Sequence, residues 1–482
     1  MPHVHFRILL SVVGYLTTTT LWLRLREHIR SEHLADILFI IVDRHLRIQY
    51  LENHVASERI SRYHLTMTSP YLPRHLRAPL HAYLRQFPVV LLLGARQVGK
   101  TTFLQHELKG FTAFDLEDAG TAERIAADPP LFLKDHPSRV WCDEAHRVPE
   151  LFPALRVTVD RDRRPGRFVL SGSATGAMAA RVSESLAGRA GVLILHPFSA
   201  AERLRRRPSP FLEKLLQAPD AAAVLRAVGK PAAIGHDDLQ SAWFVGGFPE
   251  PARIRDLAAA RRWFDSYVRL VSERDLGELH RDLRPPLVLR LLRMLAARHG
   301  QMVNLASLAT DFGLPVPKIR TFLELLEGTF LWKRVDAYAA NIGKRLTRSP
   351  RGWIADSGLL HSLLGIRTQR DLLVHPVVGA SWEGWVLEQL SAQVSLLEAA
   401  PGLAFWRTHA GAEVDIVLES GNRLIPVEVK RGTRVGPYEL RGLHSFLEAF
   451  RDRAPFGVVL YGGEDLARLS AQIVLVPITK VL

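Results

Sequence analysis

The stretch that most constrains this chain is Val89–Thr102, VVLLLGARQVGKTT. Five apolar residues, Val89–Leu93, lead directly into Gly94-Ala95-Arg96-Gln97-Val98-Gly99-Lys100-Thr101, which satisfies G-x-x-x-x-G-K-[ST] at every fixed position. The uninterrupted apolar run predicts a buried parallel strand. Thr102–Leu108 predicts a helix carrying Phe103, Leu104 and Leu108 on one side. Strand, glycine loop and helix in that order wrap backbone N–H groups around a phosphate. Gly94 and Gly99 let the loop turn inward without Cβ clashes, and the helix N-terminus adds partial positive charge. In such a loop Lys100 reaches the β- and γ-phosphates and the Thr101 hydroxyl reaches Mg²⁺. Residues Gly94, Ala95, Arg96, Gln97, Val98, Gly99, Lys100, Thr101 and Thr102 are therefore the candidate nucleotide contacts.

About forty residues on, Arg139-Val140-Trp141-Cys142-Asp143-Glu144 predicts a short strand ending in two acids. Asp143 is the candidate Mg²⁺ residue, acting directly or through Thr101 and water, and Glu144 the candidate base for the attacking water. A helix N-cap followed by a first-turn acid is the structural alternative. Arg167–Ser173 predicts a further strand. Its end faces the crevice of a parallel sheet, so Ser171 is a candidate γ-phosphate sensor, with turn chemistry as the alternative. Arg189, after Ser185-Leu186-Ala187-Gly188, is a candidate for stabilising transition-state charge in its own subunit or a neighbour's; an ordinary surface arginine has the same sequence signature.

The chain's 482 residues exceed what one core accommodates, and 47% apolar with 23% charged residues excludes a disordered chain. Residues 1–66 differ in style from the rest and read as an N-terminal extension. Within them Ile8–Leu23 is mostly apolar but shorter than the roughly 20 residues of a membrane span, so an anchor is the weaker reading and a cytoplasmic location the favoured one. Residues 67–205 form the nucleotide-binding domain, 206–300 a helical lid or linker, 301–345 a winged-helix-like unit and 346–482 a C-terminal domain. One cysteine, Cys142, excludes an intramolecular disulfide and any multi-cysteine zinc site. A net charge of +14, rich in arginine, suits contact with nucleic acid, although proteome-wide arginine bias gives the same number.

In the winged-helix-like unit, Val303–Ala309 and Ile319–Leu326 predict two short helices about a Gly313 turn, with Phe330–Trp332 and Val335 as a wing. A plain helical hairpin has the same spacing. In the C-terminal domain, Gly411–Leu418 and Leu424–Lys430 predict two strands about a Gly421-Asn422 turn. Glu428 and Lys430 share one strand face, and Asp415 lies on the neighbouring strand. Asp415 and Glu428, completed by Glu383 from a preceding helix, are candidate ligands for Mg²⁺. Lys430 is the candidate for positioning or deprotonating a water. That set suits metal-assisted phosphodiester hydrolysis; an exposed hairpin face of alternating charge is the plain alternative.

Taken together, the loop at 94–101, Asp143-Glu144, Ser171-Gly172-Ser173, Leu186-Ala187-Gly188-Arg189, Gly246-Gly247-Phe248-Pro249-Glu250, Asp356-Ser357-Gly358-Leu359, Gly411–Asp415 and Glu428-Val429-Lys430 follow one another in an order that resembles a prokaryotic AAA-type ATPase family. Its members end in a domain of unknown function with a restriction-endonuclease-like fold. The resemblance runs from about Tyr71 to near the C-terminus. It implies an α/β chain: an AAA+-like P-loop parallel sheet, a helical and winged-helix middle, and a mixed α/β nuclease-like end, with ATP and Mg²⁺ as ligands. Trp141-Cys142 departs from the aliphatic strand usual there, an expected effect on packing and not on the acids. Two functions follow as expectations. One is an ATPase that drives nucleic-acid cleavage at Asp415, Glu428 and Lys430. The other is an ATP-dependent switch whose inactive nuclease-like domain binds DNA or protein. Nucleic acid and a second copy of the chain are the further expected partners.

Overall fold

Short segments in the N-terminal half, most of them apolar, become five strands, β1 (Val89–Gly94), β2 (Thr112–Asp115), β3 (Val140–Asp143), β4 (Phe168–Ser173) and β5 (Ala190–Ile194). The computed structural model describes residues 71–173, 185–228, 234–275, 284–339 and 349–482; Ile8–Leu23 lies outside them. All five strands are parallel, in the order β2-β3-β4-β1-β5. The glycine loop therefore leaves an interior strand, and β4 separates it from the acid-bearing β3.

Strand alternation decides what each face of this sheet buries. Val89, Leu91 and Leu93 pack with Cys142, Phe168 and Leu170 beneath the helix Leu151–Arg161. Val90 and Leu92 point the other way, joining Phe103, Trp141 and Val169 in a core that runs on through Trp243, Phe264, Leu291, Trp382 and Ile425. One hydrophobic core thus links the nucleotide-binding sheet to the middle and C-terminal parts of the chain.

The middle contains the helices His236–Val245, Leu257–Leu270, Pro285–Ala297, Leu305–Phe312 and Val316–Gly328. Asn304 caps the fourth of these by accepting from Ser307 N at 3.0 Å. Gly313, at φ +63°, ends it, and Pro315 precedes the next. Strand β6 (Trp332–Val335) pairs antiparallel with β7 (Arg351–Ile354).

The C-terminal strands are β8 (Gly402–Arg407), β9 (Glu413–Ser420), β10 (Arg423–Lys430), β11 (Gly457–Tyr461), β12 (Ala467–Arg468) and β13 (Ile473–Pro477). They form a mixed sheet in the order β12-β13-β11-β10-β9-β8. Strands β8, β9 and β10 are antiparallel, whereas β10, β11 and β13 are parallel. Ile425, Val427 and Val429 face the core shared with the helix Val378–Val394, and Leu424, Val459 and Phe446 fill the opposite side. The segment after β6 runs along β8: Phe405 N donates to Asp336 O at 3.0 Å and Tyr338 N to Phe405 O at 2.5 Å. That pairing covers what would otherwise be a bare sheet edge. Among the described residues no helix is long and apolar enough to cross a membrane.

Candidate functional site

The loop between β1 and the helix Lys100–Glu107 has the backbone its glycines allow. Gly99 sits at φ +94° and Gly94 at φ +158°. A Cβ on Gly94 would lie 2.5 Å from Leu195 O, so only glycine lets β5 pass this close. Gln97 takes φ +59° and Glu144 φ +50°, left-handed conformations uncommon for non-glycine residues. Lys100 is buried, and its ammonium donates to Gly94 O and Ala95 O, both at 3.0 Å. It thus lies against the carbonyls at the start of the loop. The first N–H groups of the helix it begins have no intrahelical partners, which suits them to phosphate oxygens. Arg96 is half-buried beside Glu117 at 3.7 Å, and Thr102 is exposed on the first turn.

Strand order brings the acids to this loop. The Thr101 hydroxyl donates to Asp143 Oδ2 at 2.6 Å, and the Ser171 hydroxyl donates to Asp143 Oδ1 at 2.5 Å. Trp141 Nε1 donates to Ser171 Oγ at 2.7 Å. A chain from Trp141 through Ser171 to Asp143 fixes the carboxylate on the Thr101 hydroxyl. Thr101 and Asp143 offer two hard oxygens side by side, a donor set that fits Mg²⁺. Glu144 follows at the strand end, partly exposed, with its carboxylate 3.2 Å from His146 Nδ1.

Ser171 is fully buried, and its hydroxyl proton is given to Asp143. Trp141 was expected to matter for packing alone, yet its indole N–H anchors that serine. Arg189 lies beside Val89 at the start of β1, Val89 N donating to Arg189 O. The loop leaves the other end of that strand, roughly 17 Å away at about 3.3 Å per residue. Its guanidinium pairs with Asp160, with both contacts at 2.8 Å. The structure does not bring Arg189 to the loop of its own chain.

Sequence reasoning missed Arg74. It is buried against Glu202 at 3.2 Å and donates to Val98 O at 3.1 Å, bracing the loop from behind. Tyr267, on the helix Leu257–Leu270, donates its hydroxyl to Arg96 O at 3.2 Å. The Gly246-Gly247-Phe248-Pro249 motif also reaches the loop: a Cβ on Gly99 would meet Pro249 Cγ at 3.6 Å. Its other end is held by Asp356, which accepts from Gly247 N at 2.7 Å and Leu359 N at 2.9 Å. Burial pushes the Asp356 carboxyl up to about 6 despite those donors. Cys142 is buried one strand position from Asp143, and burial pushes its thiol up to about 12, which makes it inert.

The second set of candidates also converges. The register Val427↔Ile416 sets Asp415 beside Glu428 across β9 and β10. Asp415 Oδ2 accepts from Val429 N at 2.9 Å, and Lys430 Nζ donates to Glu428 Oε1 at 2.6 Å. Burial, then the charge of Asp415, pushes the Glu383 carboxyl well above the usual range, and the same causes in the same order raise Glu428. Burial opposes the Lys430 charge, but Glu428 and Asp415 outweigh it and hold that lysine above its ordinary value. Asp415, Glu428 and Glu383 therefore lie close enough for each to feel the others' charge. Among the described residues, however, no three His, Cys, Asp or Glu side chains are grouped to hold a metal ion. Arg351 of β7, also missed from sequence, stands in this cluster, paired with Glu413 and attracted by Asp415, Glu383 and Glu428.

A parallel sheet with a phosphate loop on an interior strand and an acid on β3 defines a P-loop nucleotide-binding protein. Residues 86–204 match the family model described as AAA domain. Residues 236–370 and 378–481 match two models described as domains of unknown function, DUF8612 and DUF4143. The chain is 37% identical over 413 residues to uncharacterized protein Rv2008c of Mycobacterium tuberculosis and to uncharacterized protein Mb2031c of Mycobacterium bovis, covering 85% of this chain and 84% of each relative. The chain belongs to the same family as these two proteins. It is also similar to the solved Walker-type ATPase PABY2304 of Pyrococcus abyssi, at 17% identity over 61% of this chain and 98% of that one, with a TM-score of 0.40, too low to bear on function.

Proposed function

We propose that this chain binds and hydrolyses ATP at the 94–101 loop, and that the nucleotide state sets the binding behaviour of its C-terminal domain. The observation that carries the proposal is the hydrogen-bonded set Thr101–Asp143–Ser171, placed at the end of the loop by the β3-β4-β1 strand order. Lys100 would exchange its loop carbonyls for phosphate oxygens, and the loop N–H groups would hold the remaining charge. Thr101 and Asp143 would hold Mg²⁺, which when bound neutralises charge on the phosphate oxygens. Glu144, one residue beyond Asp143 and partly exposed, would orient a water and take its proton.

Two further assignments belong to this proposal. Residues 285–354 are read as a winged helix, supported by three helices followed by the β6–β7 hairpin. The domain at 378–481 is read as nuclease-like, supported by its mixed sheet and by Asp415 lying beside Glu428 and Lys430. Of the two functions expected for it, the binding platform is favoured over cleavage, because cations of the chain itself occupy the cluster, Lys430 on Glu428 and Arg351 on Glu413. DNA is the favoured partner on the chain's net charge of +14. Phosphate release with Mg²⁺ and ATP tests the first part: Lys100→Ala abolishes it, and unchanged turnover rejects the site. Salt-sensitive DNA binding that differs between ATP and ADP, without nicking of a supercoiled plasmid, tests the second. Nicking lost in Asp415→Ala would restore the cleavage reading.

A further inference from the structure

The acidic cluster of the C-terminal domain contains a cation supplied by another part of the chain. Arg351 belongs to β7, whose partner β6 lies in the middle segment. Its guanidinium pairs with Glu413 and lies 4.9 Å over the Phe405 ring. Arg351 is only 7% exposed and Glu428 only 8%. In each, one buried polar atom, Arg351 Nη1 and Glu428 Oε2, has no hydrogen-bond partner. Such orphaned atoms are costly in a dry site, and here they are a cation's donor and a carboxylate's acceptor within one cluster.

Local packing explains how the arginine gets there. Glu383 is followed by Gly384, where a Cβ would lie 2.4 Å from His299 Nε2 and 3.0 Å from Trp353 Cε3. Only glycine lets the helix Val378–Val394 approach β7 this closely. Phe405, beneath the guanidinium, is hydrogen-bonded to Asp336 beyond β6. The β6–β7 hairpin and the acidic cluster are therefore held in register by backbone contacts as well as by charge.

We propose that Arg351 is a built-in counter-cation that stands in place of a divalent metal among Glu383, Asp415 and Glu428, and closes the cluster to metal while the β6–β7 hairpin is docked. This rests on reading the C-terminal domain as a non-cleaving platform, and it supplies the reason. A guanidinium keeps its charge at any ordinary pH, so, held on Glu413 two residues from Asp415, it repels a second cation from the neighbouring carboxylates. Removing it leaves four acids, Glu383, Glu413, Asp415 and Glu428, opposed chiefly by Lys430 and by Arg407, which lies 3.6 Å from Glu413. Hard carboxylate oxygens in that number favour Mg²⁺ or Mn²⁺.

The test is Mn²⁺ binding to the full chain without nucleotide, read by electron paramagnetic resonance. Arg351→Met binds one more Mn²⁺ than wild type, with affinity raised roughly tenfold or more, and adding Asp415→Asn removes the gain. Arg351→Lys, which keeps a cation, behaves as wild type. If Arg351→Met does not fold, Glu413→Gln decides: it loosens the arginine while leaving it in place and shows the same gain more weakly. No gain in the folded variants overturns the proposal, as does a wild-type Mn²⁺ site that Asp415→Asn abolishes. Plasmid nicking, scored in the same samples, separates the two failures: wild type that binds Mn²⁺ without nicking ends only the counter-cation role, whereas nicking ends the platform reading.

Discussion

Ser171→Ala separates two roles for the serine within β4. Its hydroxyl has one proton, donated to Asp143 Oδ1 at 2.5 Å, and it accepts from Trp141 Nε1 at 2.7 Å. The substitution leaves a buried indole donor without a partner, a loss of about 1–3 kcal/mol in stability. Trp141→Phe in the same chain removes that orphan and recovers much of the loss, so the pair is non-additive by about 1 kcal/mol. Asp143 then has only Thr101 and its backbone neighbour to orient it. The expected result is weakened Mg²⁺ dependence of nucleotide binding, with ATP and ADP affinities measured in chelator unchanged. Isothermal titration with each nucleotide, with and without Mg²⁺, reads this directly. A selective loss of ATP over ADP affinity, with Mg²⁺ dependence intact, would refute the positioning role and restore direct contact with the γ-phosphate.

Two other substitutions probe the supports of the two sites. Gly246→Ala places a Cβ 2.3 Å from Asp356 Oδ1 at a residue with φ +77°; urea denaturation should show a loss of roughly 2 kcal/mol or more, and wild-type stability would mean the Gly246–Asp356 contact is slack. Glu383→Gln tests the carboxyl that burial and the charge of Asp415 push well above its ordinary value. Between the unfolded value and the raised folded one the folded chain keeps a proton that the unfolded chain has lost, so stability falls as pH rises through that window and levels off above it. The variant lacks that decline: its Tm relative to wild type should be higher at about pH 9 than at about pH 5, and an equal difference at both would refute the assignment.

The phosphate loop was legible because its chemistry is local: fixed spacing in eight residues, an apolar strand before and a helix after. Asp143 was legible for the same reason, as an acid ending a short apolar run. The partners that tune it were not. Ser171 follows from β4 lying between β1 and β3, and strand order is a tertiary property. Arg189 precedes a parallel strand and so lies at the sheet end opposite the loop of its own chain, which leaves a neighbouring copy's site as the place for the role expected of it. That placement was available from the β5 prediction alone. In the C-terminal domain the alternation of Glu428 and Lys430 and the Gly421-Asn422 turn set the hairpin correctly. Arg351 was hidden because it arrives from β7, across a close approach that depends on Gly384 lacking a side chain. The resemblance pointed to the Gly246-Gly247 and Asp356 motifs without giving their role. The structure shows them hydrogen-bonded to each other beside the loop.

The most direct measurement is ATP turnover by Glu144→Gln beside wild type, with nucleotide affinity determined in parallel. Glutamine keeps the shape of the side chain and cannot take a proton from water. The predicted result is retained ATP affinity with phosphate release reduced roughly a hundredfold or more, the scale of a lost general base. Wild type that binds ATP and releases no phosphate, or Glu144→Gln that turns over as fast as wild type, would contradict hydrolysis at this site.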